Sequence, residues 1–207
     1  MPKKTIKWGY KVWMKCAESG YCLNFQLYTD KQEHNVEKDL GATIVKRLCI
    51  DLKGKYHRVY FDKYFNSYKL QIDLLNDKIL ACGTVNATRK HLPTLKEDTK
   101  LERGEHDYRV SDTNVTVMKW KDKRVVHLLS NYHDLRNVST FIRKERNSDS
   151  NQIACPEVVK DYNANMNLVD KFDQLKSCYA IERKSRKWWH RIFFHFVDCA
   201  LVNSFVI

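Results

Sequence analysis

Apolar and polar residues alternate along the first stretch of the chain. Ile6, Trp8, Tyr10, Val12, Met14 and Cys16 take one set of positions and Lys7, Gly9, Lys11 and Lys15 the other. After Glu18-Ser-Gly20 the alternation resumes at Tyr21, Leu23, Phe25 and Leu27, which predicts a hairpin with one buried face. The period then changes. Leu40, Ile44, Leu48 and Leu52 fall at helical spacing, Val45 and Cys49 widen the stripe, and Gly54 sits where a helix would stop. A strand at 57–62, a helix through residue 75 capped by Ser67, and an apolar strand at 79–85 follow, giving the order β-β-α-β-α-β. Residues 90–134 are irregular and β-rich, residues 143–152 form a polar link, and 157–179 and 185–207 read as two helices.

Composition changes this picture in two ways. The chain has 207 residues, 43% of them hydrophobic, enough for a substantial core. Its 37 Lys and Arg against 25 Asp and Glu give a formal charge of +12, which favours polyanionic partners through counterion release, although a soluble basic surface would show the same balance. The seven cysteines include no Cys-x-x-Cys pair and predict buried free thiols in a reducing compartment instead of a zinc knuckle. The first residues lack the apolar run of a signal peptide, and the apolar run at 192–207 is shorter than a bilayer span of about 20 residues. No membrane association is expected.

Candidate chemistry lies in Asn163-Ala-Asn-Met-Asn-Leu-Val-Asp-Lys-Phe-Asp-Gln174. On a helix, Leu168, Phe172, Leu175 and Tyr179 share one face, and Asp170 and Asp173 lie opposite, about 60° apart. A lone Asp-x-x-Asp is ordinarily a solvated face. Here Met166 and Val169 on the same side imply partial cover, and Asp62 stands at the C-terminal end of a strand, where open α/β sheets place their ligands. Carboxylates are the hard oxygen donors that Mg²⁺ or Mn²⁺ takes, and two such ions about 3.5–4 Å apart serve in-line phosphodiester displacement. The eight histidines lack ligand spacing. The second feature is Arg183-Lys-Ser-Arg-Lys-Trp-Trp-His-Arg191. Lys184, Arg186, Lys187 and Arg191 suit phosphate contact and Trp188 suits base stacking, while the alternative is that both tryptophans begin the packed face of the last helix.

Taken in order, a series of segments resembles the piggyBac-type transposase domain and its domesticated derivatives. They are Met1-Pro-Lys-Lys-Thr-Ile-Lys-Trp-Gly-Tyr-Lys-Val-Trp13, Phe61-Asp-Lys-Tyr-Phe-Asn-Ser67, Gly83-Thr-Val85 with Arg89, Arg103-Gly104, Trp120-Lys-Asp-Lys123, Leu129-Ser-Asn131, Cys155-Pro156, Tyr162-Asn163, Val169-Asp170 with Asp173-Gln174, and Arg186-Lys-Trp-Trp189 through Asn203-Ser-Phe205. The resemblance covers almost the whole chain. It implies a mixed α/β, ribonuclease H-like fold. It also implies a DDE/DDD set of acids holding two Mg²⁺ or Mn²⁺ ions for excision and strand transfer at TTAA targets, with DNA terminal repeats as partner and a homodimer in the full-length form.

By position Asp62 corresponds to the second acid, Asp170 to the third and Asp173 to the additional nearby acid. The first acid lies upstream of the Met-Pro-Lys-Lys segment in relatives, on a central first strand. The chain is therefore expected to lack that strand and to be a fragment without strand-transfer activity. The implied layout is a core at 1–89 (strands 2–5), a β-rich insertion at 90–134, and a C-terminal helical part at 135–207 carrying the third acid, in a nuclear protein.

The chain departs from the family pattern at Asn167-Leu168, Lys63 and Asn86, where the family has Gly-Gly, Asn and Arg. The ammonium of Lys63 is expected to compete for a neighbouring carboxylate. A non-catalytic DNA-binding module is the alternative function.

Overall fold

The computed structural model describes residues 10–28, 39–134, 137–144, 150–179 and 185–206. They fall into two compact units, one within 1–38 and 167–207 and the other within 39–166.

The larger unit is built on a mixed five-stranded sheet of β3 (Arg58–Phe61), β4 (Leu80–Thr84), β5 (His106–Val110), β6 (Thr116–Lys121) and β7 (Val125–Ser130), in the order β3-β4-β7-β6-β5. β3 and β4 are parallel, and the remaining neighbours are antiparallel. The two helices α1 (Leu40–Leu48) and α2 (Tyr68–Asn76) cover one face of β3–β4, where Ala42, Val45, Leu70 and Leu74 pack with Ile79 and Ala81. Alternation sends Tyr60 and Cys82 to the other face. There they join Met118, Trp120, Leu128 and the buried side of α3 (Glu157–Asn165), namely Val158, Val159 and Tyr162. β6 is buried from Thr116 to Trp120 because both of its faces are covered.

Local chemistry explains several element ends. Ser67 caps α2 by accepting from the Leu70 N–H at 3.3 Å. Gly54, at φ +77, takes the left-handed conformation that follows the α1 segment. At Gly83 the parallel partner Phe61 comes so close that a Cβ would lie 2.3 Å from the Phe61 carbonyl oxygen, so no side chain fits.

Both ends of the polar link expected at 143–152 belong to strands. β8 (Val138–Lys144) and β9 (Ser150–Pro156) pair antiparallel, with residues 145–149 outside the described set. Ile153 and Cys155 point into the core while Gln152 and Ala154 face out, and the Trp120 indole N–H donates to the Ala154 carbonyl at 3.0 Å. Inward apolar residues and a strand partner outweigh the polar outer face.

The smaller unit holds the hairpin β1 (Val12–Cys16) and β2 (Cys22–Leu27) with α4 (Leu168–Tyr179) and α5 (Trp188–Val206). Phe172, fully buried, packs with Cys22, Cys199 and Val202, a burial worth about 2–3 kcal/mol for a side chain of that size. Asn203 on α5 clamps β2 at two points, accepting from the Cys22 N–H at 2.8 Å and donating to the Cys22 carbonyl at 3.0 Å. The single helix expected at 157–179 is two, broken at Met166 and Asn167 inside an Asn-rich run of low helix propensity, where the two units also divide. All seven cysteines are free, but Cys178 is exposed and Cys16 half-buried, so not every thiol belongs to a core. Among the described residues no helix is long and apolar enough to cross a membrane.

Candidate metal and nucleic-acid site

Asp62 follows the last residue of β3, with Tyr60 two positions before it on the α3 side of the sheet. Its Oδ1 accepts from the Lys63 backbone N–H at 2.6 Å and from the Thr84 hydroxyl at 3.1 Å. Both bonds use the same oxygen, and the side chain is otherwise exposed. The contact Lys63 makes here is through its backbone, not through the ammonium that the sequence suggested. The turn that follows is pinned from several directions. The fully buried Asn66 donates to the Gly83 and Thr84 carbonyls at 2.8 and 3.0 Å and accepts from Gln71 at 3.0 Å, and the Arg89 guanidinium donates to the Tyr64 carbonyl at 2.8 Å.

Under this strand end, α3 is docked by a polar cluster. Asp161 Oδ2 accepts from the hydroxyls of Tyr60 and Tyr132, at 2.8 and 2.7 Å, and lies 3.0 Å from His133 Nε2. Burial works against the Asp161 carboxylate, but the two tyrosine hydrogen bonds and His133 outweigh it and hold the group below its usual range. Burial likewise pushes the Tyr60 hydroxyl up to about 12 and holds the His133 imidazole below the ordinary histidine range despite the aspartate beside it. A neutral His133 with its proton on Nε2 satisfies the whole set, since Nδ1 then accepts from the Ser130 hydroxyl at 2.8 Å.

These shifts fix the direction in which stability changes with pH. The folded-state values of His133 and Asp161 are both depressed, so their stabilisation is complete above about pH 6.5 and is lost as pH falls, first through the imidazole and then through the carboxylate. His127 and His195 are depressed by burial as well and act in the same direction. Denaturation midpoints measured from pH 8 to pH 5 are expected to fall below about pH 6.5. His133→Asn should flatten that slope while leaving the share due to His127 and His195.

Asp170 and Asp173 belong to the smaller unit. Both are exposed on α4, opposite the buried Phe172, as the helical spacing predicts, and Asp173 forms a 3.1 Å ion pair with Lys176. The cover expected from Met166 and Val169 is absent: the two are 47% and 37% exposed. Trp188 and Trp189, at 65% and 46% exposure, do not begin a packed face. Trp188 leans on Tyr10 with ring centroids 6.3 Å apart, and the Lys187 ammonium lies 5.9 Å from the Trp189 ring. Arg186, Lys187 and Arg191 are exposed, while Lys184 lies outside the described residues.

The carboxylates of Asp62, Asp170 and Asp173 have the oxygen chemistry a hard divalent ion takes. Among the described residues no three His, Cys, Asp or Glu side chains form a cation-holding group. Within each unit the structure therefore supplies at most two of the three acids, Asp62 in one and the α4 pair in the other.

A DDE transposase family model described as Transposase IS4 matches residues 1–205. The chain belongs to the piggyBac-type transposase family. It is 30% identical over 215 residues to the human PiggyBac transposable element-derived protein 2, covering 97% of this chain and 36% of that protein. It is also 30% identical to the human PiggyBac transposable element-derived protein 3, covering 97% of this chain and 35% of that protein. The chain thus spans about a third of the length of these piggyBac-derived relatives. A solved structure described as the piggyBac transposase synaptic complex with hairpin DNA superposes with a TM-score of 0.84 at 26% identity, over 100% of this chain and 42% of that one.

Several segments that resemble the piggyBac domain have a structural role. Arg103 donates to Asp122 at 2.9 Å and the Gly104 N–H to the Lys121 carbonyl at 2.7 Å, so two separated motifs meet as one clasp. The Asp161 cluster was missed in the sequence because Tyr60, the adjacent pair Tyr132 and His133, and Asp161 come from three distant parts of the chain. The one available signal is the two-residue step that puts Tyr60 and Asp62 on the same face of β3.

Proposed function

We propose that this chain is a transposase-derived, ribonuclease H-like domain that binds DNA beside a divalent-cation centre to which Asp62, Asp170 and Asp173 contribute ligands. The observation that carries this reading is Asp62 itself. Hydrogen bonds hold its carboxylate at the C-terminal end of β3, the end of an open α/β sheet where ligands gather, in a chain whose fold matches a transposase solved with DNA. Bound there, Mg²⁺ or Mn²⁺ would supply charge stabilisation to a phosphodiester undergoing displacement, the ancestral reaction of excision and strand transfer. The protein's own part is to present the carboxylates and to hold the DNA backbone. Arg186, Lys187 and Arg191, with Lys184, fit phosphate contact, and the exposed Trp188 fits stacking on an unpaired base. TTAA targets, terminal repeats, a homodimer in the longer protein and a nuclear location belong to the same proposal.

A second reading, a DNA-binding module without catalysis, is favoured by the Asp173–Lys176 ion pair, which offers one of the three acids a competing cation. Both readings are tested by duplex-DNA binding across a salt series, together with nicking in Mg²⁺ or Mn²⁺. Replacing Arg186, Lys187 and Arg191 by Gln is expected to weaken binding and to reduce the slope of log K against log[salt] by roughly 0.9 for each phosphate left without its cationic side chain. Cation-dependent nicking abolished by Asp62→Ala supports the catalytic reading. Salt-sensitive binding that never leads to nicking and ignores Asp170→Asn supports the module. Binding unchanged by the Gln substitutions contradicts both.

A further inference from the structure

We propose that Thr84 and Tyr162 are positioning residues for Asp62, joined to it in a directed chain of hydrogen bonds that fixes one carboxylate oxygen and turns the other outward; this rests on the reading of Asp62 as a cation ligand. Thr84 is the last residue of β4 and Cys82 lies two before it, so Thr84 points to the same face as the buried Cys82, toward α3. Its hydroxyl is 3.1 Å from Asp62 Oδ1 and 3.4 Å from the Tyr162 hydroxyl, and its oxygen also accepts from the Lys63 N–H at 3.0 Å. An ionised carboxylate can only accept, so the single threonine proton goes to Asp62 and Tyr162 donates to Thr84. The direction is thus Tyr162 to Thr84 to Asp62.

Tyr162 is placed by its neighbour. Asp161 ties α3 to Tyr60, one pleat back along β3 from Asp62, and the next residue of the helix then reaches Thr84. Tyr162 is 5% exposed and packs in the same core as Val158 and Val159, so its hydroxyl has little freedom to turn elsewhere. The hydrogen bonds from Lys63 and Thr84 both fall on Asp62 Oδ1, which leaves Oδ2 for a ligand. Outer partners of this kind orient a carboxylate, and their loss typically weakens metal binding by roughly 10–100-fold.

The test is Mn²⁺ binding to the full chain, followed by the electron paramagnetic resonance signal of free Mn²⁺, with thermal melts as a check on folding. Wild type is compared with Asp62→Asn, Thr84→Val, Thr84→Ser and Tyr162→Phe. Thr84→Val is expected to weaken the Asp62-dependent binding by about 10-fold or more, Thr84→Ser to stay near wild type because it keeps the hydroxyl, and Tyr162→Phe to fall between them. If Thr84→Val binds as wild type does while Asp62→Asn does not bind, the positioning role is overturned and the cation reading stands. Equal losses in Thr84→Val and Thr84→Ser also overturn it, because a general packing defect would then explain both. Should Thr84→Val fail to melt cooperatively, Tyr162→Phe decides: weakened binding supports the chain and unchanged binding refutes it. Wild-type protein that binds no Mn²⁺, or that binds it independently of Asp62, removes the cation reading and this inference together.

Discussion

Asn131→Ala is expected to destabilise the protein by roughly 3 kcal/mol, because it removes three buried hydrogen bonds to backbone groups at a site where water does not reach them. Asn131 is 4% exposed and follows the last residue of β7. Its side-chain oxygen accepts from the Ala81 N–H at 2.7 Å, and its amide donates to the Gln71 and Ile79 carbonyls at 3.2 and 3.1 Å. One side chain thus joins β7, the start of β4 and helix α2. Alanine removes all three bonds; the Gln71 carbonyl keeps its place in the α2 ladder, while the Ala81 N–H and the Ile79 carbonyl, left unsatisfied, cost about 1–3 kcal/mol each. For a chain of this size the melting midpoint should drop by roughly 10 °C. Asn131→Asp keeps the acceptor for Ala81 but sets a carboxylate against two carbonyls, so it should be no milder. A loss below about 1 kcal/mol in Asn131→Ala would mean that the Ala81 N–H and the Ile79 carbonyl find other partners.

The elements that were legible in the sequence are those whose signals are local. The hairpin strands at 12–16 and 22–27, the cap at Ser67, the stop near Gly54 and the apolar strand at 80–84 emerged in this way, but the buried face of β2 did not: Leu23 and Phe25 are 54% and 42% exposed, and Cys22 is buried instead. β8 and β9 did not emerge, since Val138, Thr140, Ile142, Gln152 and Ala154 face solvent and their polar surroundings mask the inward Ile153 and Cys155. The break at Met166–Asn167 was hidden because no proline or glycine marks the interruption.

The site divides in the same way. Asp62, Asp170 and Asp173 were nameable from their types and spacing, and the chain's position in the piggyBac-type family agrees with the segments that resemble it. The groups that hold Asp62 were not. Thr84 is 22 residues away and Tyr162 lies 78 beyond Thr84, so the bonds exist only once the parallel pairing of β3 with β4 and the docking of α3 are known. His133 looked scattered for the same reason. Its partners, Ser130 and Asp161, lie three residues away on the β7 side and 28 away on α3.

Mn²⁺ titration of single and double variants tests most directly the proposal that Asp62 and Asp170 serve one cation centre. If both carboxylates belong to one centre, Asp62→Asn and Asp170→Asn should each remove the tight sites, weakening binding by about 10²-fold, and the double variant should be little worse than either single one. If instead each single variant keeps its own undiminished class of sites and the two losses multiply in the double variant, the acids act apart and the shared-centre account is wrong.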